Sequence, residues 1–450
     1  MRVGYNHKNT QVNTLLFVFI FLNGLLISVT NFQSIYSYVY TFFLFCLINK
    51  FIKAKTFFLK NFLVLNFFIF LSILLYWGQY LIMPDWFGFT GMYGGVGTDD
   101  SRFFAGVASS EINIPRYARG YIGMDHGFVD FLKILYPFKI VHPLTIIIPN
   151  LLGICFIPYF TYRLSFHLTN NLKVSRLSFL LVVICPVILS NGLILMRDGW
   201  VAFLSIAGVF YLLNRNNKSF IIILIILFLV RPGSAILLLL APVFYFKKSI
   251  LKGNNFNKIP KVVLVFSMVA VLLYLMLPFL TEYLAVKGLD SFERAGFVET
   301  TIKKADAGSI IYKIYTLPIY LKIPIGFIFF LFLPFFQGEF YTLNILNIRT
   351  IMFSTIMPIL SLFYFKYFFS GVVYMYQRNE KEMKLFFYLF CFFLLIISQA
   401  SIQPRHKTAL MPFFYILVAY GVHNGNSSSK AFGTFVFVFL FVIQFYMALF

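Results

Sequence analysis

Two adjacent carboxylates in the first third of the chain are the strongest candidates for acid–base chemistry. Asp99 and Asp100 lie in the sequence GTDDSRFF, with Arg102 two residues further on. Neighbouring carboxylates resist simultaneous ionisation, which suits one of them to accept a proton. The pair could also hold a divalent cation with the help of water. The plainer interpretation is an Asp-rich turn or a helix N-cap.

Three further clusters place arginines between apolar runs. A guanidinium offers forked donors that fit a phosphate, and a turn that leads into a helix N-terminus adds positive potential for an anion. These clusters are therefore predicted to bind phosphate or a lipid-linked substrate. The alternatives are a structural ion pair, an arginine that reaches to the membrane surface, and a solvated loop. The residues concerned are Arg197 and Asp198 in LILMRDGW, Arg231 in FLVRPGSA, and Arg405, His406 and Lys407 in QPRHK.

Other histidines, acids and cysteines give weaker signals. Asp125, His126 and Asp130 could join the site or belong to a surface helix, and His142 and His167 are interpreted as structural. The four cysteines all fall inside apolar runs, without disulfide or metal-binding spacing. We therefore expect no cofactor, with a divalent cation at the Asp pair as the one alternative.

The composition places these clusters in a membrane protein. The chain has 450 residues, of which 60% are hydrophobic and 12% charged, and its mean hydropathy is +0.85. Soluble globular chains are about half apolar and about a quarter charged, so the bilayer is the solvent that fits. A net charge of +22 would indicate nucleic acid in a soluble protein. Here the basic residues lie mostly in short linkers, which indicates membrane topology and contact with anionic lipid instead.

The apolar runs predict an all-α, polytopic transmembrane bundle within a single integral membrane domain, 1–450. Several runs are shorter than the roughly 20 residues that a perpendicular helix needs, which is tolerable where other helices cover them. About 13 spans are predicted from these runs. They are 14–29, 33–51, 61–83, 141–162, 177–195, 199–213, 219–230, 233–246, 262–283, 350–372, 385–402, 408–422 and 431–449.

Lysine and arginine set the predicted orientation, because positive linkers favour the cytoplasm. Alternation then puts the N-terminus inside, and puts the loops 84–140 and 284–310 outside together with all four polar clusters. The stretch 120–136 predicts an amphipathic helix along the membrane surface. The stretch 309–336 breaks the alternation and predicts an interfacial helix with a re-entrant segment, or a short hairpin. The inside residues are Arg2, Lys8, Lys50, Lys53, Lys55, Lys60, Arg163, Lys173, Arg176, Arg215, Lys218, Lys247, Lys248, Lys252, Lys258, Lys261, Arg378, Lys381, Lys384 and Lys430.

The order of these motifs resembles that of bacterial membrane enzymes that assemble surface polysaccharides. An outside loop with two Asp and a following aromatic residue comes first, then a Pro-Asn-Leu-Leu-Gly span ending in Tyr-Arg, then Arg-Asp, Arg-Pro and a final Arg with a Pro seven residues later. Two groups fit: the O-antigen or exopolysaccharide repeat-unit polymerases, and the GT-C glycosyltransferases that use polyprenyl-phosphate sugars. The likeness covers roughly residues 90–420, and its motifs are short. They comprise Asp99, Asp100, Pro149 to Arg163, Pro186, Arg197, Asp198, Arg231, Pro232, Arg405 and Pro412.

The resemblance implies a GT-C-like bundle that performs inverting glycosyl transfer at the outer face of the bacterial inner membrane. Donor and acceptor would be sugars on undecaprenyl phosphate or diphosphate. Asp99 or Asp100 would take the catalytic-base position, and Arg197, Arg231 and Arg405 would hold phosphate. Three predicted spans precede the Asp pair, whereas GT-C enzymes usually carry it after the first, which favours the polymerase. A chain-length regulator or a flippase would be the protein partner.

Two alternatives stay open at this point. A GT-C transferase that adds one sugar is the nearer one. A lipid-linked oligosaccharide transporter belongs to another class, and it should show two-fold internal similarity and ionisable residues near span centres. The sequence shows neither feature, since its charges gather at the predicted outer ends.

Overall fold

The computed structural model describes residues 3–82, 103–104, 106–108, 126–140, 142–251, 313–314, 316–333, 341–342, 345–346, 351, 355–400 and 404–449. Asp99, Asp100, Arg102 and Asp125 lie outside these ranges. So do the predicted span 262–283, the loop 284–310 and most of the loop 84–140.

The described chain is helical almost throughout, which confirms the predicted all-α class. Its one sheet in these ranges is a hairpin of the two-residue strands β1, Tyr341–Thr342, and β2, Ile345–Leu346, paired antiparallel. The helices are α1 Val3–Thr30, α2 Ser34–Phe51, α3 Phe58–Ile82, α4 His126–Leu135, α5 Pro143–Asn150, α6 Leu152–Cys155, α7 Ile157–Thr169, α8 Leu172–Val183, α9 Pro186–Gly192, α10 Asp198–Leu213, α11 Asn217–Val230, α12 Pro232–Leu251, α13 Ile319–Phe332, α14 Met357–Gln377, α15 Lys381–Ala400, α16 Met411–Asn424 and α17 Ser427–Leu449, with 3-10 helices at Lys55–Phe57 and Pro404–Ala409.

Within the ranges just given, five helical stretches are long and apolar enough to cross a membrane. They are Gln11–Thr30, Lys55–Gly78, Pro143–Thr169, Met357–Gln377 and Ser427–Tyr446. The pair α8 and α9 gives a sixth if it is counted as one span bent by 46°. Pro186 starts α9, and because proline has no N–H and clashes with the preceding turn, it explains why the helix breaks there.

The outer surface and the centre of the bundle differ in the way expected of a membrane protein. Helices α1 and α17 leave large apolar side chains exposed, for example Phe21 at 62% and Phe435 at 67%. In contrast, every residue of α10 is buried, and so is every residue of α5 and α6. A helix that is apolar and buried all round belongs to the core, so α10 lies at the centre of the bundle.

Buried amides join the first three helices. The Asn23 side chain of α1 donates to the backbone O and to Oδ1 of Asn66 in α3, at 2.9 and 3.2 Å. The Tyr38 hydroxyl of α2 donates to the same Asn66 Oδ1 at 2.5 Å. Polar side chains inside a bilayer pair with one another across helices, so this cluster fixes how the three helices pack.

The linkers that carry the predicted inside charges meet at one end of the bundle. The Phe57 ring, between α2 and α3, lies 4.8 Å from the ring of Tyr162 in the middle of α7. The neighbouring Arg163 lies 5.3 Å over the ring of Phe210, near the end of α10. The linker between α2 and α3, the predicted inside residue Arg163 and the C-terminal end of α10 are therefore close together.

Two more linkers join the same end. The Asn171 amide, between α7 and α8, donates to Asn424 Oδ1 at the end of α16, at 3.5 Å. Asn426 in turn donates to Gln377 Oε1 at the end of α14, at 2.9 Å. These contacts therefore group the ends of α14 and α16 with the linker between α7 and α8.

Candidate functional site

The predicted Arg-Asp and Arg-Pro clusters come together at the opposite end of the bundle. Asp198, the first residue of α10, accepts from Arg231 Nη1, with 3.4 Å between the nitrogen and Oδ1. Arg231 lies in extended backbone between α11 and α12. The Asp198 side chain is 6% exposed and that of Arg231 is 28% exposed. A carboxylate in the first turn of a helix is favoured by the helix dipole. Both the dipole of α10 and the Arg231 guanidinium therefore stabilise the charge of Asp198.

Arg197 lies next to this pair and against the described part of the first large loop. Its guanidinium is 5.7 Å over the ring of Phe103, and that ring packs edge-on against Phe128 of α4 at 4.7 Å. A cation over an aromatic face is attracted by the ring. Phe103 follows the predicted Asp99-Asp100 pair by three and four residues, although the pair itself lies outside the described ranges.

Helix α4 is amphipathic and covers the same end of the bundle. Phe128 and Leu132 are buried, whereas Asp130 is exposed. A Cβ on Gly127 would come within 2.6 Å of the backbone O of Leu229, two residues before Arg231. The absence of a side chain at Gly127 therefore allows α4 to approach the Arg231 turn closely, and Asp130 faces away from the core.

The predicted Arg405 cluster folds as the 3-10 helix Pro404–Ala409, which packs against α9 and α10. The Asn191 amide of α9 donates to the Thr408 hydroxyl at 3.0 Å, and that hydroxyl donates to the backbone O of Arg405 at 2.6 Å. The 3-10 helix that carries Arg405 is thereby joined to α9, the helix that precedes Arg197 and Asp198 in the chain. We refer to Arg197, Asp198, Arg231 and Arg405 as the arginine site.

Lys407 has a different setting from the arginines. Its ammonium is buried and donates to the backbone oxygens of Leu331, at 2.6 Å, and of Leu333, at the C-terminal end of α13. It also lies 5.6 Å over the Phe330 ring. Burial lowers the pKa of Lys407 well below its usual value. Because the Lys407 ammonium donates to backbone oxygens at the end of α13, we do not include Lys407 among the proposed phosphate-binding residues.

Helix α13 accounts for much of the stretch 309–336. It is a 14-residue apolar helix, shorter than the perpendicular span of about 20 residues, and it packs against α15. Pro324 lies within it.

The predicted histidines occupy other positions. His142 caps α5: its Nδ1 accepts from the backbone N–H of Leu144 at 3.3 Å, and its Nε2 lies 3.0 Å from the Tyr76 hydroxyl. Burial lowers the pKa of His142 to about 4. His406 is partly buried on the 3-10 helix. In the ranges that the structure describes, no three His, Cys, Asp or Glu side chains could hold a metal ion together.

Sequence reasoning did not identify the polar side chains that bond to the segments carrying Arg197 and Arg405. Asn150 and Ser72 donate to the turn before Arg197, and Asn191 donates to Thr408 in the 3-10 helix that carries Arg405. The only sequence signal for any of them was the Pro-Asn-Leu-Leu-Gly motif, which contains Asn150.

Comparison with known proteins gives no match: no protein-family model, no curated protein and no solved structure is similar to this chain.

Proposed function

We propose that this protein is a membrane glycosyltransferase that joins undecaprenyl-linked oligosaccharide repeat units into a surface polysaccharide. The arginine site carries the proposal. Arg197 precedes the buried Asp198 in the chain, Arg231 pairs with that carboxylate, and the 3-10 helix that carries Arg405 packs on α10, which begins at Asp198. Guanidiniums gathered at one end of an apolar bundle suit a lipid-anchored phosphate or diphosphate.

The proposal includes a topology of about 13 spans with the N-terminus in the cytoplasm. The basic linkers that meet at one end of the bundle support the cytoplasmic assignment of that end. The arginine site then lies at the extracytoplasmic face of the bacterial inner membrane. Short helices such as α10 and α11 cross with the help of the helices that surround them.

The proposed reaction is a single displacement at the anomeric carbon. A carboxylate, Asp100 or Asp99, takes the proton of an acceptor hydroxyl, and that oxygen bonds to the anomeric carbon. The bond from this carbon to the phosphate oxygen breaks, and the oxygen keeps the electron pair. Arginines fixed at the phosphate stabilise the negative charge that develops on it. The transition state has oxocarbenium character, as in glycoside hydrolysis.

Substitution at four positions tests the proposal. Asp100→Asn, Arg197→Ala, Arg231→Ala and Arg405→Ala are each expected to abolish polymer formation in membranes that still contain the protein. Arg176→Ala, an exposed position on α8, is the matched control and should retain full chain length. Full-length polymer from all four variants would contradict the assignment.

Product analysis separates the polymerase from a GT-C transferase that adds one sugar. Loss of a polymerase leaves single repeat units on the acceptor, whereas loss of a transferase leaves every unit short by one sugar. The expected product of the Arg231→Ala variant is therefore the single complete unit. Truncated units would assign the same arginine site to the transferase.

A further inference from the structure

The turn that carries Arg197 is buried, which raises the question of what holds it. Residues 193–196 separate α9 from α10, and each is at most 2% exposed. A buried turn has backbone carbonyls that the helices on either side cannot satisfy, so other groups must bond to them. The Met196 N–H takes part of this role by donating to the Ile194 oxygen at 2.8 Å.

The Asn150 amide supplies two of the required donors. Its Nδ2 donates to the backbone oxygens of Ile194, at 3.0 Å, and Met196, at 3.3 Å. Its Oδ1 accepts from Trp200 Nε1 at 3.0 Å. One side chain, itself 2% exposed, therefore bonds to the chain on both sides of Arg197 and Asp198.

Residues that follow Asn150 also pack closely against the residues that follow Arg197. A Cβ on Gly153 would lie 2.8 Å from the Trp200 ring, and a Cβ on Gly199 would lie 2.6 Å from the Ile154 side chain. These contacts require glycine, because any side chain would push the segments apart. The start of α10 is thus seated closely on α6, with the Asn150 amide at its edge.

We infer that Asn150 is a positioning residue that fixes the Arg197 guanidinium for a phosphate ligand. The inference rests on the proposed function, because it assumes that Arg197 binds the phosphate of the lipid-linked donor. Asn150 does not touch the ligand in this arrangement; it holds the backbone on both sides of the residue that does. A small displacement of a positioned binding group weakens ligand binding, so loss of the Asn150 amide should lower the affinity for phosphate.

A double-mutant cycle distinguishes positioning from simple support of the fold. Inorganic pyrophosphate is the probe, titrated into the detergent-purified full-length protein. Asn150→Leu, which keeps the volume and removes the three hydrogen bonds, should weaken pyrophosphate binding about tenfold. In an Arg197→Lys background, the same change should cost less than about twofold, because the group that it positions has already been altered.

Two further variants keep the test decisive. Asn66→Leu is the matched control: it also removes a buried amide, but one that bonds within α1, α2 and α3, and it should leave the pyrophosphate affinity unchanged. If Asn150→Leu does not fold, Asn150→Ser replaces it, with a smaller expected loss of the same kind.

The outcomes separate the inference from the proposed function. Wild-type affinity in Asn150→Leu, or losses that add fully in the double mutant, would overturn the positioning role while the arginine site stands. Wild-type affinity in both Arg197→Lys and Arg231→Ala would show that the arginine site does not bind phosphate, and the proposed function and this inference would fall together.

Discussion

Asp198 and Arg231 are 33 residues apart in the chain, yet their side chains meet at 3.4 Å between Oδ1 and Nη1. The contact ties the start of α10 to the hairpin of α11 and α12. An ion pair of this kind has two possible roles: it stabilises the packing of these helices, or it presents a guanidinium to a ligand. The Asp198 carboxylate is almost fully buried and the arginine keeps 28% exposure, so one partner can serve the fold while the other faces a ligand.

Removing the Arg231 guanidinium alone, and then removing the Asp198 charge as well, distinguishes the two roles. Arg231→Met leaves the buried carboxylate of Asp198 without this partner, and we expect the free energy of unfolding to fall by about 1–3 kcal/mol. Adding Asp198→Asn should restore most of that stability, because the uncompensated charge is gone. Pyrophosphate binding should stay lost in both variants. Unfolding in detergent and pyrophosphate titration measure the two effects, and normal binding in the double variant would leave the pair a purely structural role.

The helices were predictable because their signal is local. Apolar runs bounded by Lys, Arg, Asn or Pro gave 12 of the 13 predicted segments a helical counterpart in the described ranges. The break between α8 and α9 could also be inferred, since Pro186 cannot continue a helix. The number of crossings is harder to predict, because a helix such as α10 is short and its burial depends on every neighbour.

The partners within the candidate site could not be predicted, because they depend on packing between distant elements. Nothing local to Lys407 indicates that it bonds to the end of α13, more than 70 residues earlier. In the same way, the sequence predicts that Arg231 and Asp198 lie on one side of the membrane but offers no reason for them to pair. Charge type and sidedness are local properties, whereas the choice of partner is a property of the fold.

Substitutions at Lys407 and at Arg405 should have opposite effects on stability and on pyrophosphate affinity, although the two residues are only two positions apart. Lys407→Met removes the donors to the Leu331 and Leu333 oxygens, so we expect a loss of about 1–3 kcal/mol of stability and little change in pyrophosphate affinity. Arg405→Ala should weaken pyrophosphate binding with a smaller effect on stability. Lys381→Met, at an exposed position, is the control for loss of a lysine. A large loss of affinity in Lys407→Met would return this residue to the phosphate-binding set.

Gly421 marks the closest approach of two helices in the C-terminal part of the bundle. A Cβ there would overlap the backbone O of Tyr367, so α14 and α16 can touch only because residue 421 is glycine. Gly421→Ala should lower the free energy of unfolding by about 1–3 kcal/mol.

Gly24→Ala is the matched control, since a Cβ on Gly24 of α1 would meet nothing within 4 Å. This change should be neutral or stabilise by up to about 1 kcal/mol, because alanine favours the helix. Thermal unfolding of both variants in the same detergent checks the pair, and equal effects would contradict the close approach of α14 and α16.

His142 should make the stability of the protein depend on pH. Its Nδ1 accepts from the Leu144 N–H at the start of α5, so a second proton on the ring would meet a donor and the positive end of a helix. Burial lowers the pKa of His142 to about 4 in the folded protein, against about 6.5 in an unfolded chain. The unfolded state therefore binds more protons between these values, and stability rises with pH across this window.

The contribution of His142 is thus complete above about pH 6.5 and is lost as the pH falls towards 4, with a cost of about 2 kcal/mol at pH 5. Thermal unfolding between pH 5 and pH 8 measures the slope. His142→Asn keeps an acceptor for the Leu144 N–H but cannot titrate, so its stability should fall less steeply over the same range. Identical slopes for the two proteins would assign the pH dependence to other groups and remove His142 as its source.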